Sequence, residues 1–336
     1  MHNKHMKSSL TLILSCLIMF VVSCSSIPTQ NQNKSNIKLK LNIETSNKNK
    51  EIIIESLLKE NILFSINFDA NNSYLLKDAV LNSNMKYFCK SFIDEQREIV
   101  ESAVFNEKGN DDKKILIIYS DKYINSVSSL KSKYPKELYH LVSNKDFENN
   151  IKKILHVNQS IERYSQISNL DKSLEIQHNP RVRKDISKIY FLTDYDLGKT
   201  IVPIFKNYAL GINFYSTSEL FHDATDIKKL ADFEGTSIPL SSDIFKKIIN
   251  KKNITNIQSE FEILMIDDFL EIEKINQNNL NKRRILLETG YTKIQKNKCI
   301  DRSLPIWKID MNNLILQTCD LFLMMTSYQE ILAFQK

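Results

Sequence analysis

The sequence predicts an α/β fold built on parallel sheets, and two observations predict it. The runs Ile115-Leu116-Ile117-Ile118-Tyr119 and Lys188-Ile189-Tyr190-Phe191-Leu192 are short and almost continuously apolar, as strands buried on both faces are. Stretches of helical spacing lie between such runs, and repeated strand–helix alternation marks parallel crossover units. Composition agrees with a folded chain: of 336 residues, 42% are hydrophobic and 26% charged. Only 5 glycines and 6 prolines are present, which excludes collagen-like and proline-rich folds and disfavours a glycine loop cradling phosphate.

Residues 1–23 read as an export leader outside the fold. Lys4 and Lys7 form a positive start, and Leu10 to Val22 is an apolar run shorter than a membrane span. The run stops at Val21-Val22-Ser23-Cys24, which resembles a bacterial lipobox. Cys24 then carries the lipid anchor and becomes the mature N-terminus; the plainer alternative is an ordinary secretory signal with an incidental cysteine. Ser25, with no Asp after the cysteine, resembles lipoproteins sorted to the outer membrane. Several acyl chains hold stably, since each buried CH₂ contributes about 0.8 kcal/mol.

Residues 24–50, rich in Asn, Lys and Ser, read as a flexible tether with one alternating patch at Ile37 to Leu41. The folded domain is expected over 51–310. It opens with a helix over 51–60 and a strand over 62–68. Ser91 and Asp94 form a capping box for a helix ending near Gly109. Strand 115–119 precedes a helical stretch to about Pro135, a weaker strand at 138–142 and a helix at 147–155. After strand 188–192 comes a helix over 201–210, closed by Gly211 before a strand at 212–215. A helix over 257–275 and strands at 284–287, 293–295 and 306–309 complete the domain. Residues 311–336 are too interrupted by Gln317, Asp320, Gln329 and Glu330 to span a bilayer and read as a C-terminal helix.

The net charge of +6 is mild and points weakly to an acidic partner surface, not to nucleic acid. Loss of Lys4 and Lys7 with the leader leaves about +4. Cys89, Cys299 and Cys319 remain beyond the anchor; at most one internal disulfide can form, and three buried thiols are the plainer expectation.

No catalytic motif emerges. Gly198-Lys199-Thr200 lacks the first glycine of a phosphate-binding loop, and the Ser-x-x-Lys matches have no partner motifs. His140, His156, His178 and His222 are scattered, and the adjacent Asp267 and Asp268 point to different sides of a helix. No cofactor, no metal site and no catalytic residue is expected. Arg181, Arg183 and Lys184 form the densest basic cluster on an exposed loop, a candidate contact for an acidic protein or anionic polymer, or simply a solvated approach to the next strand.

From this cluster onward the chain resembles the LppC/LpoA family of outer-membrane lipoproteins that activate penicillin-binding proteins. The resemblance lies in Asn179-Pro180-Arg181-Val182-Arg183-Lys184-Asp185 leading into an apolar strand, and in Tyr215-Ser216-Thr217-Ser218-Glu219-Leu220-Phe221. Asp232-Phe233-Glu234-Gly235, Leu264 to Phe269, Thr289-Gly290 and Arg302-Ser303-Leu304 continue it in order. The family's helical repeat domain is missing, and Ile37 to Ile43 is the one candidate remnant of its opening strand. The resemblance implies a type I periplasmic-binding-protein-like fold, two parallel-sheet lobes with the N-terminal one reduced. It also implies a non-catalytic, outer-membrane-anchored activator of a class A penicillin-binding protein that supports peptidoglycan synthesis and contacts the wall itself as a further option. The alternative is a periplasmic solute-binding lipoprotein for a small amino-acid-like or peptide ligand, and a third reading is an envelope enzyme.

Overall fold

A computed structural model describes residues 38–45, 47–59, 63–68, 74–76, 87–106, 113–142, 146–170, 178, 180–225, 227–241, 244, 257–278, 284–310 and 315–316. Two parallel-rich sheets organise them, in the α/β arrangement that the sequence predicts.

The first sheet has β1 (Lys38–Thr45) at its centre, flanked by β2 (Leu63–Asn67) and β3 (Tyr74–Leu76), both parallel to it. Helices α1 (Asn47–Lys59) and α7 (Ile257–Gln277) pack beside it. Gln277 ties α7 to β1 by donating to the carbonyl of Lys40 at 2.8 Å and accepting from its amide at 3.0 Å. This corrects the tether reading of 24–50. The alternation at Lys38-Leu39-Lys40-Leu41 is a strand pattern, because Leu39 and Leu41 are buried in the main core while Lys40 faces water.

The second sheet has seven strands in the order β13-β12-β8-β7-β6-β4-β5. Strands β4 (Lys114–Tyr119), β5 (Leu138–Leu141), β6 (Ile186–Leu192), β7 (Asn213–Tyr215) and β8 (Thr236–Pro239) are mutually parallel. β12 (Ile306–Lys308) and β13 (Ile315–Leu316) run antiparallel at one edge. The period of two sorts β4 and β6 onto two cores. Leu116, Ile118, Ile189 and Phe191 face one, with α4 (Phe147–Ile154) and α6 (Tyr195–Tyr208) above them. Ile115, Ile117, Tyr190 and Leu192 face the other, under α2 (Phe92–Glu101), the π turn that extends it (Ser102–Asn106) and α3 (Ile124–Lys133). Phe191 is fully buried and meets Phe205 and Phe214 edge-on at centroid distances of 5.4 and 5.5 Å.

α2 starts where the capping box predicts: Ser91 Oγ accepts from the amide of Asp94 at 3.1 Å. α6 begins six residues earlier than expected, because Asp194 caps it by accepting from the Leu197 amide at 3.1 Å. α5 (Val157–Leu170) is a helix without a strong apolar pattern, as only Val157 and Ser160 are buried along it.

A small antiparallel sheet, β9 (Arg284–Leu287), β10 (Gly290–Ile294) and β11 (Ile300–Ser303), follows α7. The turn between β10 and β11 carries Cys299, which is bonded to Cys89 just before α2. Both lie toward the surface, so the expectation of three buried thiols fails for this pair; Cys319 is outside the described residues. One continuous core joins Leu39 and Ile53 beside the first sheet to Phe205 and Phe214 of the second and Phe261 and Phe269 of α7. The two sheets are therefore parts of one packed body. Ile315 and Leu316 form a strand where a C-terminal helix over 311–336 was expected, since their backbone pairs with Trp307 and Lys308. The leader and the rest of that segment lie outside the described residues. Among the described residues no helix is long and apolar enough to cross a membrane.

Candidate functional site

The carboxyl ends of β4, β6 and β7 lie side by side and are followed by Ser120, Thr193 and Ser216. Open α/β sheets hold ligands at such ends. Here the chain's own side chains fill the place. α2 is the source, because its first half reaches β8 and the 3₁₀ turn Ser218–Phe221 that follows β7.

Gln96 is fully buried; its Nε2 donates to the carbonyl of Pro239 at 2.7 Å. Its Oε1 accepts from the amide of Ser218 at 2.9 Å and from Ser218 Oγ at 2.8 Å. Arg97 Nη2 donates to Glu219 Oε2 at 2.7 Å, and Lys122 Nζ stands 3.9 Å from the other carboxylate oxygen. The Arg97 guanidinium carbon lies 5.6 Å from the centroid of the Tyr123 ring. Burial, and after it the Glu219 carboxylate, pushes the Tyr123 phenol well up.

Ser218 Oγ also lies 3.0 Å from His222 Nε2, so the structure contains a hydroxyl–imidazole pair that the sequence reading missed. Ser218 is fully buried and His222 nearly so. Burial, and after it Lys122, pushes the imidazole down to about 3, so it is neutral at pH 7. The pair holds the 3₁₀ turn against α2. Gly198 of α6 explains how closely that turn packs: a Cβ there would lie 2.5 Å from Leu220 Cδ1.

A second polar cluster sits on the opposite side of α2. Arg302 of β11 is completely buried. Its Nη1 donates to Glu95 Oε2 at 2.6 Å, its Nε to Thr289 Oγ1 at 2.7 Å, and its Nη2 faces Met265 Sδ at 3.2 Å. Thr289 Oγ1 donates in turn to Asp268 Oδ2, and Asp268 Oδ1 accepts from the amide of Glu288 at 2.6 Å. The guanidinium lies over the rings of Phe88 and Phe92 at 4.8 and 5.5 Å. Burial, opposed by Arg302, raises Glu95 above its usual range and Asp268 to about 7. Asp267 points the other way and accepts from Ser56 Oγ of α1 at 2.6 Å, as the helix-spacing argument required.

The basic loop is divided. Arg183 is held by Asp185 through two bonds, Nε at 2.7 Å and Nη2 at 2.6 Å, and its amide donates to the carbonyl of Leu155. Arg181 and Lys184 are exposed on either side of it. Cys24, the expected lipid-anchor residue, is outside the described residues. Among the described residues no three His, Cys, Asp or Glu side chains gather as a metal site.

No family model and no curated protein matches this chain. Among solved structures it is similar to LpoA from Haemophilus influenzae, at 9% identity and a TM-score of 0.47, covering 85% of this chain and 59% of that one. It is similar to the C-domain of the same organism's LpoA, a regulator of PBP1A, at 12% identity and a TM-score of 0.40, covering 83% of this chain and 99% of that one. It is also similar to the leucine-binding protein LivK from Thermotoga maritima, at 9% identity and a TM-score of 0.41, covering 84% and 98%.

Proposed function

We propose that this chain is a non-catalytic, lipid-anchored outer-membrane protein that binds and activates a class A penicillin-binding protein and so supports peptidoglycan synthesis. The observation that carries the reading is the convergence of motifs quoted separately from the sequence. Thr289 and Arg302 meet in one buried network, and Gly290 packs against Leu304. Leu220 and Phe233, from two further motifs, close together on Gly198.

The crevice weighs against the solute-binding alternative, because Gln96 and Arg97 occupy the strand ends where a small ligand would sit. Protein contact needs only a surface. An activator binds the active state of its enzyme better than the inactive one and needs no catalytic group. Arg181 and Lys184 are the proposed contact residues, with Arg183 ordering the loop between them. Cys24 carries the lipid, and the residues between it and β1 give reach from the membrane toward the wall.

The test is a titration of the lipid-free chain from residue 25 onward against the host's class A penicillin-binding proteins, following binding, glycan polymerisation and crosslinking. Saturable binding with a faster rate is expected. Folded protein that neither binds nor accelerates any of them would end this reading.

A further inference from the structure

Glu219 is 7% exposed, and a carboxylate so buried persists only with a cation against it. The nearer of its two cations comes from α2: Arg97 Nη2 lies 2.7 Å from Glu219 Oε2, and the guanidinium carbon 5.6 Å from the Tyr123 centroid, while Lys122 Nζ stands 3.9 Å from Oε1. Thr217 Oγ1 stands 3.4 Å from the same carboxylate oxygen. A carboxylate, an aromatic face and a neighbouring hydroxyl form the set with which proteins hold a guanidinium or primary ammonium group. The set lies at the carboxyl ends of β4 and β7, on a sheet edge suited to ligands. Nearby, Ser120 Oγ, Thr193 Oγ1 and Arg97 Nε are buried and lack partners among the described residues.

We propose that this is a cation-binding crevice filled from within: Arg97 takes the place of a ligand's guanidinium or ammonium group and keeps small cationic solutes out. Gln96 completes the plug by bonding Pro239 and Ser218 on the far side. The proposal stands apart from the activator reading, since the plug exists whether or not any penicillin-binding protein is the partner.

The test uses the full chain and thermal unfolding with low millimolar methylguanidinium or methylammonium chloride, each against sodium chloride of equal ionic strength. The wild type is expected to show no shift beyond salt. Arg97→Ala should melt lower in salt alone and regain about 2–4 °C with methylguanidinium, saturably. That gain should vanish in the double variant Arg97→Ala/Glu219→Gln. Arg97→Met, which keeps the stem over Tyr123 while freeing the carboxylate, serves if the alanine variant does not fold. Saturable stabilisation of the wild type by either cation would overturn the proposal, because the crevice would then be open. A folded Arg97 variant that responds no more than to sodium chloride would overturn it as well. Loss of the fold in both variants would mark the arginine as purely structural and have the same consequence.

Discussion

Two arginines, one bound by Glu95 of α2 and one carried by the same turn of that helix, are treated in opposite ways. Arg302, paired with Glu95, is wholly buried, has an acceptor for each of its nitrogens and lies between two phenylalanine rings. Arg97, two residues along from Glu95, keeps 23% of its side chain exposed, and its Nε has no partner among the described residues. The first arrangement is costly to desolvate and fully compensated, as expected of a group that fixes how elements dock. The second is incompletely compensated, as expected where a surface retains the outline of a site. Residues two apart on one helix thus serve a joint and a crevice.

Breaking the joint should have the largest effect. Arg302→Met leaves Glu95 and Asp268 buried without their cation and should cost about 3–5 kcal/mol in urea unfolding. Arg97→Met should cost only about 1–2 kcal/mol, because Arg97 is itself partly exposed and Lys122 remains beside its partner. Equal costs would erase the contrast.

The pH dependence of stability should come next. Asp268 is raised from 3.8 to about 7 in the folded protein, so the folded state holds this proton more tightly than the unfolded one. Its contribution is full below pH 4 and is lost as pH rises toward 7, on the order of 2–4 kcal/mol. Glu95, also raised, acts in the same direction. Denaturant midpoints measured from pH 4.5 to 8 should fall in the wild type and lie flatter in Asp268→Asn.

Gly198→Ala should act on the crevice side. Its new methyl group collides with Leu220 and should cost about 1–3 kcal/mol, loosening the turn that carries Glu219. Hydrogen exchange should quicken at 216–222 and stay unchanged at 300–304. The smallest effect on stability belongs to the surface. Arg181→Glu with Lys184→Glu should leave unfolding within about 0.5 kcal/mol of wild type while weakening synthase binding. Arg183→Glu should disturb both, because it also removes the clasp on Asp185.

Much of the fold was legible because its strands are buried on both faces and therefore apolar without a break, as at Ile115 to Ile118. The elements that escaped lack that signature. β8 buries Thr236 and Ser237 as completely as any leucine, and α5 presents mostly polar residues on every side. β1 was visible as an alternating patch but was outweighed by the polar residues around it. The crevice was not legible at all: Arg97 and Glu219 are 122 residues apart, and nothing local to either announces the other. The joint was half legible, since Thr289, Arg302 and Asp268 stood in segments that carry the resemblance while Glu95 did not. The disulfide could not be chosen from three cysteines by counting.

The bond between Cys89 and Cys299 joins positions 210 residues apart. Its first thiol is delivered long before its second, so the link cannot close until Cys299 has also been delivered. Once closed, it turns the whole seven-stranded sheet except its two outer antiparallel strands into the interior of a covalent ring. A protease that cuts any one loop of that ring leaves both pieces attached, and only reduction releases them. A cut chain that migrates intact without reductant and divides with it would be the simplest sign that the protein had reached an oxidising compartment.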